Sequence, residues 1–287
     1  ALPILMANAN SVIKQSVLAY LGNADDPEIS NPIHSTELAR AYGFSGPLIA
    51  GVTVWGWATD CILEALGESW LKFGWSEFSL KQPTYPGETL EISVFKSTEG
   101  PSGSYEVEIR KSDNSICVKG LVGLGKTDWS ADLIKPDITD SSFIRENKNP
   151  LLLGEEKNTT PWTPMQISFS MDNLTEFLNE KQKTSNPIFA GPNPIAHPSW
   201  IAGWAENLMR HNFLLPSSMH TRSKIQHLNT IPINTNVVAR GHIKETYERK
   251  GHHFVNFDVS LSDDSDQILS QMSHWTIFKI ATLEERG

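Results

Sequence analysis

The stretch 31-NPIHSTELARAYGFSGPLIAG-51 carries residue types that could perform acid–base chemistry. His34 could act as a general base, because an imidazole titrates close to neutral pH. Gly51 opens a long apolar segment, and a free backbone N–H at the start of a helix stabilises developing negative charge. The same loop also has a structural interpretation, since Asn31 is a good N-cap and Pro32 suits the first helical position. The loop alone leaves both roles of His34 open.

The composition limits the classes of function. The 287 residues carry a net charge of -9, which argues against a nucleic-acid partner. Cys61 and Cys117 lie in apolar segments and are expected to be buried, reduced thiols of a cytoplasmic protein. The sequence shows no apolar run of bilayer length, no phosphate-binding glycine loop and no spacing typical of metal ligands. We therefore expect no membrane association, no metal and no cofactor.

A repeated pattern predicts two copies of one unit. The tripeptide 31-NPI-33 matches 186-NPI-188, and the dipeptide 57-WA-58 matches 204-WA-205. The apolar segments that contain the two dipeptides are expected to be central helices. Each is followed by segments of alternating polarity, which are typical of strands with one buried face. An ancestral duplication is the simplest explanation.

The two copies are expected to span residues 1–128 and 161–287, joined by a long connector over 129–160. In the first copy we predict an amphipathic helix over residues 11–21. A second helix, over 52–67, is apolar on all sides, so it should be buried. A buried helix followed by antiparallel strands suits a sheet that curls around its own central helix. The sequence thus predicts an α+β protein with two such units.

The loop pattern NPIH-x4-A-x3-GF-x2-P-x3-G, which starts at Asn31, resembles the hydratase motif of MaoC-like enoyl-acyl hydratases and dehydratases. The two-copy layout is similar to the double hot-dog members of that family, so the resemblance covers nearly the whole chain. It implies two tandem hot-dog repeats, each an antiparallel sheet wrapped around a central apolar helix. It also implies lyase chemistry, the addition or removal of water on an acyl thioester.

The resemblance assigns roles to individual residues. His34 would be the base, and the N–H of Gly51 would bind the thioester carbonyl as negative charge develops. The aspartate that the family places five residues before the histidine is replaced here by Ile29. The missing carboxylate could be Glu28, close by in sequence, or Glu206 on the central helix of the second copy. A carboxylate in apolar surroundings would have a raised pKa and could serve as an acid.

The second copy departs further from the family motif. Thr184 stands at the aspartate position, Phe189 at the histidine position and Pro198 at the glycine position. A proline has no backbone N–H to donate. This copy is therefore not expected to hold a hydratase site of its own.

Several further residues are candidates for binding the substrate, with core packing or loop rigidity as the alternative for each. Four tryptophans on the central helices could line a wide lipophilic pocket suited to a cyclic or polyene molecule. The candidates are Asn31, Pro47, Trp55, Trp57, Trp200, Trp204 and His197.

Three functions follow from the sequence. The first is a hydratase or dehydratase acting on an enoyl or 3-hydroxyacyl thioester, or on a related polyketide-type substrate. The second is an isomerase or cyclase of secondary metabolism that reuses the same pocket, and the third is a non-catalytic acyl-binding subunit. The protein is expected to be a monomer or a homodimer.

A substrate linked to CoA or to a carrier protein would bring phosphate groups to the mouth of the pocket. Such a substrate calls for a cluster of basic side chains there. The sequence shows no obvious cluster of this kind, although its candidate members Lys81, Arg210, Arg222 and Lys224 could converge.

Overall fold

A computed structural model describes residues 12–22, 25, 31–134, 142–158, 161–282 and 285. The strands are β1 Ile13–Leu18, β2 Gly74–Leu80, β3 Thr89–Lys96, β4 Tyr105–Lys111, β5 Ile116–Leu124, β6 Asn149–Pro150, β7 Met165–Phe169, β8 Phe213–Leu214, β9 Met219–His227, β10 Thr235–Arg249, β11 His252–Ser262 and β12 Ile268–Lys279. Ten of these strands form one antiparallel sheet, in the order β1-β3-β4-β5-β2-β9-β12-β11-β10-β7. The two short strands β6 and β8 pair in parallel.

The helices of the described residues fall into two similar sets, one for each copy. Each set has a short helical turn that starts at an Asn-Pro dipeptide and a central helix that packs against the sheet. The helices are α1 Thr36–Ala41, α2 Gly51–Gly56, α3 Thr59–Leu66, α4 Trp70–Phe73, α5 Met171–Phe177, α6 Pro187–Ala190 and α7 Pro198–Asn212. A 3-10 turn covers Pro32–His34, and a π-helical turn covers Leu178–Gln182.

The two copies are joined through the middle of the sheet, where β2 of the first copy pairs with β9 of the second. The central helices also meet. A Cβ atom added to Gly56 would lie 2.5 Å from the hydroxyl oxygen of Ser199 on α7, so the glycine permits this close approach. Burial of the central helices supplies much of the core. Trp55, for example, stacks on Phe78 of β2 with ring centroids 4.3 Å apart. One core thus extends through both copies.

The predicted helix over 52–67 is divided into α2 and α3. The amide of Ala58 bonds to the carbonyl of Trp55 three residues earlier, a 3-10 pattern that ends α2. Trp57 lies at this break, and its indole Nε1 donates to the carbonyl of Lys181, 3.1 Å away. That hydrogen bond to the second copy stabilises the break. The apolar pattern of the sequence does not predict it. In the second copy, α7 is continuous.

The helix predicted over residues 11–21 is wrong for the described part of that segment. Residues 13–18 instead form β1, an edge strand paired with β3 from Ile13 opposite Val94 to Leu18 opposite Thr89. Pairing with an available strand outweighs a weak helical periodicity, and the β-branched Ile13 and Val17 suit a strand. The first copy therefore contributes five strands to the sheet.

The connector between the copies is tied to the second copy. The N–H of Ile134 donates to the buried carboxylate of Asp258 at 2.9 Å, and the N–H of Gly154 donates to the hydroxyl of Thr246 at 2.7 Å. Both acceptors lie on strands of the second copy, so the described parts of the connector near Ile134 and Gly154 pack against that half of the sheet. Among the described residues, no helix is long and apolar enough to span a membrane.

Candidate active site

The 31–34 loop is anchored to the other copy. Asn31 is buried, and its Nδ2 donates to the carbonyl oxygen of Ser218 at 2.9 Å. Its Oδ1 accepts from the N–H of Ile33 as an N-cap, at 3.5 Å, so the structural interpretation of the dipeptide is correct as far as the backbone is concerned. The cap places His34 at the end of a single helical turn.

His34 is held as a neutral base. Its Nδ1 lies 2.6 Å from the carbonyl oxygen of Leu48. A carbonyl can only accept, so Nδ1 carries the proton and Nε2 presents a lone pair. Burial lowers the pKa of His34 to about 4, with the charges of Lys181 and Arg210 acting in the same direction and the Leu48 hydrogen bond opposing them. At neutral pH the imidazole is therefore uncharged and ready to accept a proton.

His34 lies at the boundary of two adjoining cavities. The smaller cavity has a volume of about 190 Å³ and mostly apolar walls, and the larger one has a volume of about 510 Å³. Residues from both copies line both cavities, which places the site at the junction of the copies. The shared lining residues are Asn31, His34, Ala50, Val52 and Glu206.

Glu206 reaches this junction from α7. Its Oε1 accepts from Nε of Arg210 at 2.9 Å and makes a short contact with the hydroxyl of Ser218. Its Oε2 is buried and makes no hydrogen bond with any described residue. The Arg210 guanidinium compensates a negative charge on Glu206, so the free oxygen is suited to accept a hydrogen bond rather than to donate a proton. The structure thus brings the histidine of one copy and a carboxylate of the other to the same cavities.

Gly51 is the first residue of α2 and lines the smaller cavity. The first N–H groups of a helix have no partner within the helix, so this backbone donor is available. Gly51 also has a packing role, because a Cβ atom there would lie 1.9 Å from Cδ1 of Leu80. The oxyanion role and the packing role are therefore compatible.

Gly51→Ala is expected to lower the free energy of unfolding by about 1–3 kcal/mol through overpacking against Leu80. Shortening the clashing side chain in a Gly51→Ala/Leu80→Ala double variant should relieve the strain, measured against Leu80→Ala alone in urea unfolding. If the loss of stability in the double variant equals the sum of the losses in the two single variants, no clash exists.

Several predicted binding residues lie outside these two cavities. Trp55 packs in the core, and Pro47 lies in the loop before α2 without lining either cavity. Trp57 lines a third cavity, as does His197.

Trp200 and Trp204 do line the larger cavity, with ring centroids 5.2 Å apart. Glu28, the other candidate carboxylate, lies outside the described residues.

His197 has a clear structural role. Its Nδ1 accepts from the N–H of Ser199 at 3.2 Å and so caps the start of α7. The ring packs against Phe189 at a centroid distance of 4.6 Å. Burial lowers the pKa of His197 to about 3, which keeps it neutral and able to act as the acceptor of the cap. Phe189, at the histidine position of the second copy, is fully buried, and its phenyl ring has no group that could accept or donate a proton.

Sequence reasoning missed Ser218, which links Asn31, Glu206 and Arg210. It also missed two cavity-lining histidines, His220 and His274. Nothing in the sequence singled these residues out, because they meet only when β9 and β12 pair and the second copy contacts the first.

The four basic side chains that could have converged form no cluster at the smaller cavity. Arg222 and Lys224 both pair with Glu77, and Arg210 pairs with Glu206. Lys81 is exposed at the rim of the smaller cavity. The larger cavity has Glu176 and Glu180 in its lining, together with Lys181. Within the described part of the chain, no group of histidine, cysteine or acidic residues could hold a metal ion.

The comparisons with known proteins agree with this architecture. The chain is similar in structure to a protein assigned as a MaoC domain dehydratase from Chloroflexus aurantiacus, with a TM-score of 0.59 over 94% of this chain and 95% of the other, at 12% identity. It is also similar to a double hot-dog protein of Mycobacterium tuberculosis, essential for bacterial survival during infection. That match has a TM-score of 0.57 over 94% and 96% of the two chains, at 11% identity. The chain has a double hot-dog fold. The predicted fold class is therefore confirmed.

This double hot-dog chain is also similar to a protein assigned as an oleoyl thioesterase from Lactobacillus plantarum, with a TM-score of 0.50, 11% identity and 94% and 97% of the two chains covered. No family model matches the sequence. A search of curated proteins also finds no match. At these identities the similarity shows the fold and leaves the reaction to be argued from the site.

Proposed function

We propose that this double hot-dog protein is a hydro-lyase that hydrates an enoyl acyl substrate or dehydrates a 3-hydroxyacyl one. One observation carries the proposal: His34 of the first copy and Glu206 of the second line the same two cavities, beside the open start of α2. A base, a hydrogen-bond acceptor and a backbone donor are the groups that this chemistry needs. Similarity in fold to a MaoC domain dehydratase supports the same reaction class.

In the hydration direction, His34 Nε2 accepts a proton from water while the water oxygen bonds to the β-carbon of the enoyl group. Glu206 Oε2 accepts a hydrogen bond from the same water and orients it. The electron pair of the double bond moves toward the acyl carbonyl, whose oxygen accepts a hydrogen bond from the Gly51 N–H. The imidazolium of His34 then protonates the α-carbon, so one residue handles both protons. Dehydration is the reverse.

This assignment changes the role of Glu206 from the acid expected from the sequence to an orienting acceptor. The change rests on its contacts with Arg210 and Ser218, which occupy Oε1 and compensate the carboxylate charge.

A second candidate is an isomerase or cyclase acting on a lipophilic substrate without phosphates. The observation that favours it is the pairing of Arg210, Arg222 and Lys224 with carboxylates, which leaves Lys81 at the rim of the smaller cavity. A CoA substrate carries several negative charges and would find little compensation there. Isomerisation would need a single proton acceptor and a fitted cavity.

The two candidates differ in the mass of the product. We would incubate the protein with trans-2-enoyl thioesters of several chain lengths, each as the CoA ester and as the uncharged N-acetylcysteamine ester. Hydration adds one water to the mass and abolishes the enoyl absorbance, and we expect it with the uncharged esters at least as readily as with CoA. A product of unchanged mass would favour the isomerase. No change in any ester with folded protein would contradict both thioester activities.

A further inference from the structure

One wall of the larger cavity contains a glycine inside a helix. Gly203 lies in the interior of α7, lines this cavity and is half-buried, so part of its surface is accessible. A Cβ atom added to Gly203 would meet no atom within 4 Å, apart from its chain neighbours and the backbone of its own helix. The space on this side of the helix backbone is therefore open.

The matching glycine of the first copy has different surroundings. Gly56 and Gly203 each precede one of the repeated Trp-Ala dipeptides. A Cβ atom at Gly56 would lie 2.5 Å from the hydroxyl oxygen of Ser199, so the packing of the central helices requires a glycine there. No contact of this kind restricts Gly203. Packing thus explains the first glycine and does not explain the second.

A glycine without a packing role makes its helix less stable. Glycine loses more backbone freedom on folding than alanine does, and only proline is less favourable inside a helix. Gly203→Ala would add a methyl group without a clash and would therefore stabilise α7. Residues that keep space for a ligand commonly cost stability in this way. The open space at Gly203 is thus a candidate for a role in binding.

Aromatic side chains border this space. Trp200 and Trp204 flank Gly203 along α7 and line the same cavity, as does Phe177. The two indole rings meet edge to face, with centroids 5.2 Å apart and planes at 73°. Trp204 is half-buried, so part of its indole surface is accessible. Aromatic rings favour offset-stacked and edge-to-face contacts with other rings, which suits these walls to a flat ligand group.

We propose that Gly203 admits an aromatic ring carried on the acyl chain of the substrate. The ring occupies the open space beside the Gly203 backbone and contacts the indole of Trp204. His34 and Glu206 line the same cavity, so a thioester bound with its ring there lies beside the proposed catalytic groups. The substrate class is then an aryl-substituted enoyl or 3-hydroxyacyl thioester. This inference rests on the proposed function for the acyl nature of the ligand, but not for the recognition of a ring.

A linear acyl chain has a different place to bind. The smaller cavity adjoins the larger one at His34, has mostly apolar walls and does not include Gly203 in its lining. A flexible chain can enter it, whereas the proposed position of the ring depends on the space at Gly203. A substitution at Gly203 should therefore affect an aryl ester and a linear ester differently.

The test is a binding measurement that needs no turnover. Isothermal titration calorimetry would compare the 3-phenylpropanoyl and nonanoyl esters of N-acetylcysteamine, which have equal numbers of acyl carbons and cannot be hydrated. The phenyl ester should bind wild-type protein roughly 3- to 10-fold more tightly than the nonanoyl ester. In Gly203→Ala this advantage should disappear, because the methyl group takes the place of the ring. Binding of the nonanoyl ester should change less than about twofold.

Thermal unfolding separates this loss from a defect in folding. Gly203→Ala should raise the melting temperature by about 2 °C, so weaker binding of the phenyl ester cannot be attributed to a less stable protein. Trp204→Leu, which removes the flat wall, should also reduce the advantage of the phenyl ester. If that variant does not fold, Gly203→Ala decides. His34→Ala should retain the preference, so failure of hydration and failure of ring recognition remain distinguishable.

Three results would overturn the proposal. They are equal or weaker binding of the phenyl ester by wild-type protein, binding of neither ester, and a preference for the phenyl ester that survives Gly203→Ala. In each case the space beside Gly203 would hold only solvent. The glycine would then be a remnant of the duplication that also produced Gly56.

Discussion

Replacing His34 by alanine is expected to lower the turnover of the best thioester substrate by about 10²- to 10⁴-fold, the usual contribution of a general acid–base group. The reason is that Nε2 of His34 carries the proton in both halves of the proposed reaction. The measurement is kcat/KM from the loss of enoyl absorbance. Glu206→Gln, which preserves shape but removes the charge, should reduce the rate by a smaller factor, about 10- to 100-fold.

The matched control is His242→Ala. His242 is exposed on β10 and lines none of the three cavities. It should leave the rate unchanged. A His34→Ala protein that melts like wild type and keeps full activity would show that His34 serves only the helical turn in which it lies.

The second large effect is a steep loss of stability in mild acid. His197, His227 and His274 are at most 2% exposed, and burial is the main cause that lowers each pKa. Below pH 6.5 these groups take up protons in the unfolded chain but not in the folded one, so the free energy of unfolding falls as pH falls. For His197 and His227, with pKa values of about 3 and about 4, the loss between pH 7 and pH 5 is about 2 kcal/mol each.

Urea unfolding at several pH values between 7.5 and 5 would measure this loss. His227 offers a direct check, because both of its ring nitrogens are buried without a partner among the described residues. His227→Leu removes one of the titrating groups, so the average slope of stability against pH between pH 7 and pH 5 should decrease by about 1 kcal/mol per pH unit. A slope equal to that of wild type would contradict the assignment of His227 as a neutral, buried group.

The sequence was most informative where a local pattern determines the structure. The cap at Asn31 is read directly from residue types and was found where expected, and the matching dipeptide at Asn186 forms a cap of the same kind. The repeat of the Asn-Pro and Trp-Ala dipeptides located both central helices, although α7 also carries polar residues such as Glu206 and Arg210.

The sequence was least informative where distant segments decide the structure. Residues 13–18 form an edge strand because β3 is available as a partner, and no local pattern encodes that pairing. The break between α2 and α3 is stabilised by a hydrogen bond from Trp57 to Lys181, which are far apart in the chain.

The candidate site likewise has residues that a local pattern predicts and contacts that depend on distant segments. His34, Gly51 and Glu206 were recognised as candidates from a motif and from polarity, and the structure places all three around the smaller cavity. Their roles remain proposals. The Arg210 and Ser218 contacts that redefine Glu206 could not be foreseen, because Ser218 lies in an irregular segment with no pattern of its own.

The most direct test of the account is hydration in isotopically heavy water. Wild-type protein and His34→Ala would be incubated with trans-2-octenoyl-N-acetylcysteamine in water enriched in oxygen-18, and the products analysed by mass spectrometry. We expect wild-type protein to give a 3-hydroxyoctanoyl product that carries one heavy oxygen, and the variant to give almost none of it. If folded wild-type protein returns only unlabelled substrate with every thioester tested, hydro-lyase chemistry at this site is contradicted.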